Sequence, residues 1–219
     1  SDDTDGLELI WGNHETLVEL IEKIAYRDGF GDILAEGVKK ASESIGNGSQ
    51  KLAVSIKGQD VYESTRMPKG YSHGASLATR GGGHCSGSPL TEFSNGQMDK
   101  KRALEIYGVE TADNPHTYKG KAKLVADHER FHAVLNSLGM CFFSSIVNSS
   151  DLLNWDDLTE LISVTTGWDI EKEELMEIGE RIHNLERYFN YIHAGFDRKD
   201  DYPPDRFFND KIKSGPYKG

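Results

Sequence analysis

Apolar residues recur three or four positions apart through most of the chain, the period of helices that bury one face. The clearest run is Leu175, Ile178, Ile182, Leu185, Phe189 and Ile192, which Gly195 ends. A second stripe, Leu124, His128, Phe131 and Leu135, starts from Lys121 and breaks on Gly139, a residue that tolerates a left-handed turn. Shorter runs read the same way. Asn13 caps one carrying Leu17, Leu20, Ile21 and Ile24, ended by Asp28 and Gly29. Asp32 caps another with Leu34, Val38, Ala41 and Ile45, stopped at Gly46-Asn47-Gly48-Ser49, the first plausible domain boundary. Asp99 to Tyr107 stops at Gly108, and Asn154 caps Leu158, Leu161 and Ile162 ahead of Gly167.

Only residues 51–57 alternate like a strand. From Gly58 to Ser94 no period is visible, and this stretch holds Gly70, Gly74, Gly81, Gly82, Gly83 and Gly87. A glycine-rich loop of this length is functional or disordered, and its lack of charge runs favours the ordered reading. Beyond Gly195 the tail reads as loop, with Pro203-Pro204. The pattern predicts a mainly α protein with one long glycine-rich excursion.

Composition narrows the function. A chain of 219 residues can bury a real core, and its net charge of −11 disfavours a nucleic-acid phosphate track. No apolar run reaches membrane-spanning length. The two cysteines, Cys85 and Cys141, are too few for a disulfide framework and point to a reducing, cytoplasmic setting. The polar start, Ser1 to Asp5, reads as a loop cut open.

Three stretches carry chemistry. In Leu135-Asn136-Ser137-Leu138-Gly139-Met140-Cys141 a helix stops on glycine and hands over a thiol, which suits a sulfur aimed at a cofactor. The competing reading is a buried, inert cysteine. In Arg80-Gly81-Gly82-Gly83-His84-Cys85-Ser86-Gly87 the glycines let a ligand approach the backbone, Arg80 offers a fork for phosphate, and His84 carries a proton near neutral pH. The alternative there is a flexible loop. Cys85 and His84 are adjacent and point apart, so they make a poor nucleophile and base pair. His128-Glu129-Arg130-Phe131-His132 fits H-E-x-x-H on a helix, a zinc hydrolase pattern with Glu129 as base, but no third-ligand motif follows.

Taken together, several stretches resemble the aldehyde:ferredoxin oxidoreductase family of tungsten-pterin enzymes. They include Asp5 to Asn13, Ile21 to Arg27, Leu34 to Val38, and the spacing from Lys57-Gly58 and Lys69-Gly70 through Arg80-Gly81 to His84. Thr166-Gly167-Trp168-Asp169, Gly179 to Ile182, Asn184 to Arg187 and Arg198 to Asp201 match as well. The resemblance implies the end of the family's second domain at residues 1–55 and most of its third at 56–219, both helical. The glycine-rich loop then spans residues 58–94 and the cofactor turn residues 136–141.

It further implies an enzyme oxidising an aldehyde to a carboxylic acid, with electrons leaving through a 4Fe-4S cluster to ferredoxin. Asn136 to Cys141 matches the family's D-x-x-G-L-C motif, which makes Cys141 a cluster ligand and places Gly139 and Met140 against the pterin. Arg80, Gly81 and Ser86 fall at cofactor-binding positions, and His84 at the histidine beside tungsten. Asn136 departs from the family's Asp and loses charge assistance to the pterin amine edge. Ser86 and Tyr62-Glu63-Ser64-Thr65-Arg66 also depart, and the family includes ring-reducing members. No C-x-x-C-x-x-x-C run is present, so the isolated chain is expected to hold neither cluster nor tungsten and to be inactive. The remaining partner is an N-terminal part of the same polypeptide, with room for a homodimer in the full-length form. A helical scaffold without redox chemistry is the reading from another class. The test is geometric: His84 and Cys141 must border a common hollow.

Overall fold

The computed structural model describes residues 4–61, 66–94, 96–215 and 218. Tyr62 to Thr65, the divergent turn, lie outside the described residues. The architecture is mainly α. Its helices are α1 (His14–Tyr26), α2 (Phe30–Ala35), α3 (Val38–Ile45), α4 (Lys69–Leu77) and α5 (Lys100–Tyr107). They are followed by α6 (Lys121–Ser137), α7 (Trp155–Thr166), α8 (Lys172–Ala194) and α9 (Arg206–Asn209). The described strands are β1 (Ser55–Ile56) and β2 (Gln59–Asp60), an antiparallel pair with Ser55 opposite Asp60. No described helix is long and apolar enough to cross a membrane.

The core forms around α6. Leu124, Phe131 and Leu135 are buried, as their stripe predicts, beside Trp155 and Leu158 of α7 and Leu175 of α8. The Phe131 and Trp155 rings meet edge to face at 4.7 Å. Along its other side α6 packs on α8 and α4. A β-carbon at Gly179 would stand 2.4 Å from the Arg130 carbonyl oxygen, so only glycine allows this approach of α8 to α6.

Several predicted stops hold. Asn13 accepts a bond from Thr16 N, Asp99 caps α5, and Asn154 with Asp157 forms a capping box at α7. Gly108, Gly167 and Gly195 end their helices in the left-handed conformation. Other expectations need correction. The run assigned to an Asp32 cap is two helices, because Gly37 at φ +85° breaks it, and Asp32 lies inside α2. The strand over residues 51–57 shortens to Ser55–Ile56, and a 3-10 turn, Ser49–Lys51, precedes it. The glycine-rich stretch contains α4, which no apolar period announces. It packs through missing side chains: a β-carbon at Gly74 would lie 2.7 Å from Ser88 Cα.

Two apolar faces expected to point inward do not. Helix α1 buries no residue, with Leu17 and Ile21 exposed. Leu185, Phe189 and Ile192 of α8 are exposed as well, so the period ran true but nothing in the described residues covers its second half.

Candidate functional site

The glycine run opens into a 3-10 turn, His84–Ser86, that leans on α4 and α6. The His84 ring stacks on Tyr71 of α4 at 6.0 Å and 28°. Tyr71 is itself fixed from several sides. Phe93 meets its ring edge to face at 5.1 Å, and Ser88 Oγ donates to its carbonyl at 2.9 Å. Its backbone N–H donates to Glu92 Oε2 at 2.6 Å, and Gly70 N–H donates to Oε1 at 3.0 Å. Glu92 thereby satisfies two of the orphan donors that open α4. Lys121 Nζ pairs with Glu92 at 2.7 Å, both side chains being buried, and also donates to the Thr111 carbonyl. None of Tyr71, Glu92 and Lys121 stood out in the sequence, because their partners are remote along the chain.

Burial, and secondarily the Arg80 guanidinium, hold the His84 pKa below the ordinary value. The ring is therefore neutral at pH 7 and able to accept a proton. His84 also lies within electrostatic reach of His132, whose pKa burial lowers to about 4. The His132 ring sits 5.5 Å from Phe142, the neighbour of Cys141. Cys85, pushed up chiefly by burial, feels both Arg80 and Cys141. Electrostatic interactions thus link Arg80 to both His84 and Cys85, His84 to His132, and Cys85 to Cys141.

The turn after α6 follows its sequence signature. Gly139 adopts φ +68°, its N–H donates to the Asn136 carbonyl at 3.2 Å, and Met140 N–H reaches the Leu135 carbonyl at 2.9 Å. These bonds satisfy carbonyls that a helix end leaves open. Asn136 and Gly139 are exposed, Met140 is half-buried, and the Cys141 thiol is exposed and unpaired in a disulfide. The thiol is therefore not buried, as the competing reading required.

The glycine run corrects a second expectation. Gly81 and Gly82 are not open to a ligand on their α-carbon side. A β-carbon on Gly81 would stand 2.7 Å from the Ile56 carbonyl oxygen, and one on Gly82 2.3 Å from Val61 Cγ2. Those glycines let the loop press against the β1–β2 hairpin. Arg80, by contrast, is exposed beside His84, and Ser86 is half-buried.

The H-E-x-x-H residues do not assemble a zinc site. His128 Nδ1 bonds the Leu124 carbonyl at 2.9 Å and His132 Nδ1 bonds the His128 carbonyl at 2.8 Å. A carbonyl only accepts, so each Nδ1 carries the proton and each Nε2 a lone pair. Glu129 points elsewhere, toward the Gly87 backbone and α8, with Oε2 at 3.5 Å from His183 Nε2. Among the described residues no group of three or more His, Cys, Asp or Glu side chains is placed to hold a metal.

Over residues 1–219 the sequence matches the family model described as aldehyde ferredoxin oxidoreductase, domains 2 and 3. The chain belongs to the aldehyde ferredoxin oxidoreductase family. Relatives include the tungsten-containing aldehyde ferredoxin oxidoreductases of Pyrococcus furiosus, 35% identical over 95% of this chain, and Thermococcus kodakarensis, 33% identical over 95%. The aliphatic sulfonate oxidoreductase, WOR-like subunit, of Pyrococcus furiosus is 29% identical over 98% of the chain. The chain spans 32% of the first two relatives and 30% of the third, about a third of their length. Its fold is also similar to a chain of the active site complex BamBC of benzoyl coenzyme A reductase in complex with 1,5-dienoyl-CoA. There the TM-score is 0.65 at 23% identity, covering 96% of this chain and 35% of that one. As a member of the family the chain has the mainly helical fold that its resemblance implied.

For the tungsten-pterin and cluster that the sequence resemblance implies, the donors present make a partial fit. The chain offers an exposed thiol, an exposed guanidinium and a neutral imidazole, and a β-carbon at Gly139 would meet open space. One thiolate is a quarter of a four-cysteine cluster set.

Proposed function

We propose that this chain is the C-terminal, helical portion of a tungsten-pterin aldehyde:ferredoxin oxidoreductase. The pterin-bound tungsten supplies the two-electron chemistry, and the chain supplies binding, orientation and electrostatics. In the full-length enzyme the net reaction would take an aldehyde and water to a carboxylic acid, two protons and two electrons, which would leave singly through the cluster to ferredoxin.

Each residue has a part. Cys141 donates the thiolate that completes the 4Fe-4S set, the other ligands coming from an N-terminal part of the same polypeptide. Gly139 and Met140 would hold the backbone turn against the pterin, and the Asn136 amide would accept a hydrogen bond from its amine edge. Arg80 anchors an anionic group of the cofactor, with Gly81 and Ser86 shaping the loop around it. His84, neutral and steadied by Tyr71, takes a proton released as the aldehyde is hydrated and oxidised. The isolated chain holds neither cluster nor tungsten and is inactive. Its domain boundary falls near residue 55, and the setting is cytoplasmic.

One observation carries this reading: the chain matches the family model over its whole length, and the turn on Gly139 leaves the Cys141 thiol exposed. The full-length enzyme tests it. Cys141→Ser should abolish the cluster's low-temperature EPR signal, and His84→Asn should keep metal content while lowering aldehyde oxidation 100-fold or more, on the order of a lost acid–base group. An intact EPR signal in the first variant, or undiminished turnover in the second, would refute the assignments.

A further inference from the structure

On the far side of α4 from His84 lies a cleft of about 310 Å³ that the reading above does not use. Its walls are α4 and the segment around residues 198–208. Ser72, His73 and Ser76 line it, whereas Tyr71, which holds His84, sits on the opposite helix face.

Three cations line the cleft: Arg66, Lys69 from α4 and Arg198 from the 3-10 turn Arg198–Asp201, of which Lys69 and Arg198 carry the argument. The carboxylate among the described lining residues, Asp201, has its charge met elsewhere. Lys57 Nζ lies 2.6 Å from one oxygen and Arg187 Nη2 2.8 Å from the other. Asp201 therefore does not cancel the positive wall, which stands out in a protein of net charge −11. Beside the cations, Tyr118, Tyr202 and Phe208 keep more than half of their surface in water. Lys69 Nζ stands 5.3 Å from the centre of the Tyr118 ring, which keeps charge and flat apolar surface together.

We propose that this cleft binds a small organic anion with a flat apolar body, its carboxylate or phosphate against Lys69 and Arg198 and its ring against Tyr118, Tyr202 and Phe208. A volume near the lower end of small-molecule sites fits one ring and one anionic group and excludes a folded partner. Uncancelled cations supply the attraction and aromatic walls supply the selectivity for a planar body.

Titration calorimetry of the purified protein with benzoate and with AMP tests this, with benzyl alcohol and adenosine as neutral counterparts. Saturable binding of an anion is expected, weaker at 0.5 M salt and roughly tenfold weaker in both Lys69→Ala and Arg198→Ala, the scale of one charged hydrogen bond. Arg198→Lys should retain most of the affinity. Preference for AMP assigns a phosphate ester as the ligand, and preference for benzoate assigns a carboxylate. No saturable binding of either anion at millimolar concentration, equal binding of the neutral counterparts, or an equal loss in the remote control Lys101→Ala would overturn the proposal.

Discussion

Replacing Glu129 by glutamine should stabilise the protein at alkaline pH and leave it unchanged in acid. Glu129 is buried on α6, its Oε1 has no hydrogen-bond partner, and its Oε2 has only His183 at 3.5 Å. Burial raises its pKa from 4.5 to about 7, against the pull of Arg187 and Lys57. Between those values the folded protein holds a proton that the unfolded chain has released, so stability falls as pH rises. The contribution is complete below 4.5 and lost by about 7, and the gap is worth about 3 kcal/mol at 1.36 kcal/mol per pH unit. Glutamine keeps the shape and carries no charge. Urea unfolding of both proteins, followed by far-UV circular dichroism at constant ionic strength from pH 4 to 8, isolates the term. The variant's advantage should grow from near zero at pH 4 to about 3 kcal/mol at pH 8. A difference that does not change with pH, or a wild type that is the more stable at pH 8, would mean that ionised Glu129 is well paired with Arg187 and Lys57. That outcome refutes the reasoning.

Three further outcomes follow from the same packing. Lys121→Met leaves the buried Glu92 carboxylate without its cation and should cost about 3–5 kcal/mol, whereas Glu92→Gln with Lys121→Met should recover only part of that, since one amide oxygen cannot serve both the Gly70 and Tyr71 N–H groups; equal losses in denaturant unfolding would argue against a coupled pair. Gly139→Ala meets open space and should cost only the left-handed conformation, about 1–2 kcal/mol, while Gly74→Ala meets backbone at 2.7 Å and should cost more in the same assay. His128 and His132, lowered from 6.5 to about 3 and about 4, favour the neutral folded state, so stability should fall as pH drops below 6.5, by about 1.4 kcal/mol per pH unit for each; His128→Gln should make that acid limb shallower.

How much of this was legible in the sequence depends on the range of the interaction involved. Helix ends are local events, and Asn13, Asp99, Asn154, Gly108, Gly167 and Gly195 announced theirs correctly. The exposed Cys141 turn belongs to the same class, since Gly139 alone fixes the change of direction. Period reports a helix but not what covers it. That is why Leu185, Phe189 and Ile192 keep their spacing and yet face water in a chain spanning a third of its relatives. Helix α4 escaped notice because Gly70, Gly74, Ala75 and Ser76 pack by being small, leaving no apolar stripe to read. The glycines at 81 and 82 misled for a related reason. Their missing side chains admit the β1–β2 hairpin, and composition cannot tell a protein backbone from a ligand.

Helix α6 connects the histidine loop to the thiol turn. Its first residue, Lys121, anchors Glu92 and through it the start of α4, where Tyr71 holds His84. Eight positions on, Glu129 backs Gly87, a neighbour of the same loop, and His132 comes within electrostatic reach of His84. The helix then ends in the turn that presents Cys141. One rigid rod therefore sets the histidine loop and the thiol turn together, and the α8 contact at Gly179 presses it from behind. A displacement of α6 moves both groups at once. Substitutions at the Gly179 contact should accordingly disturb the His84 and Cys141 environments in parallel, which paired NMR labels at the two positions would read, and a response confined to either label would break the link.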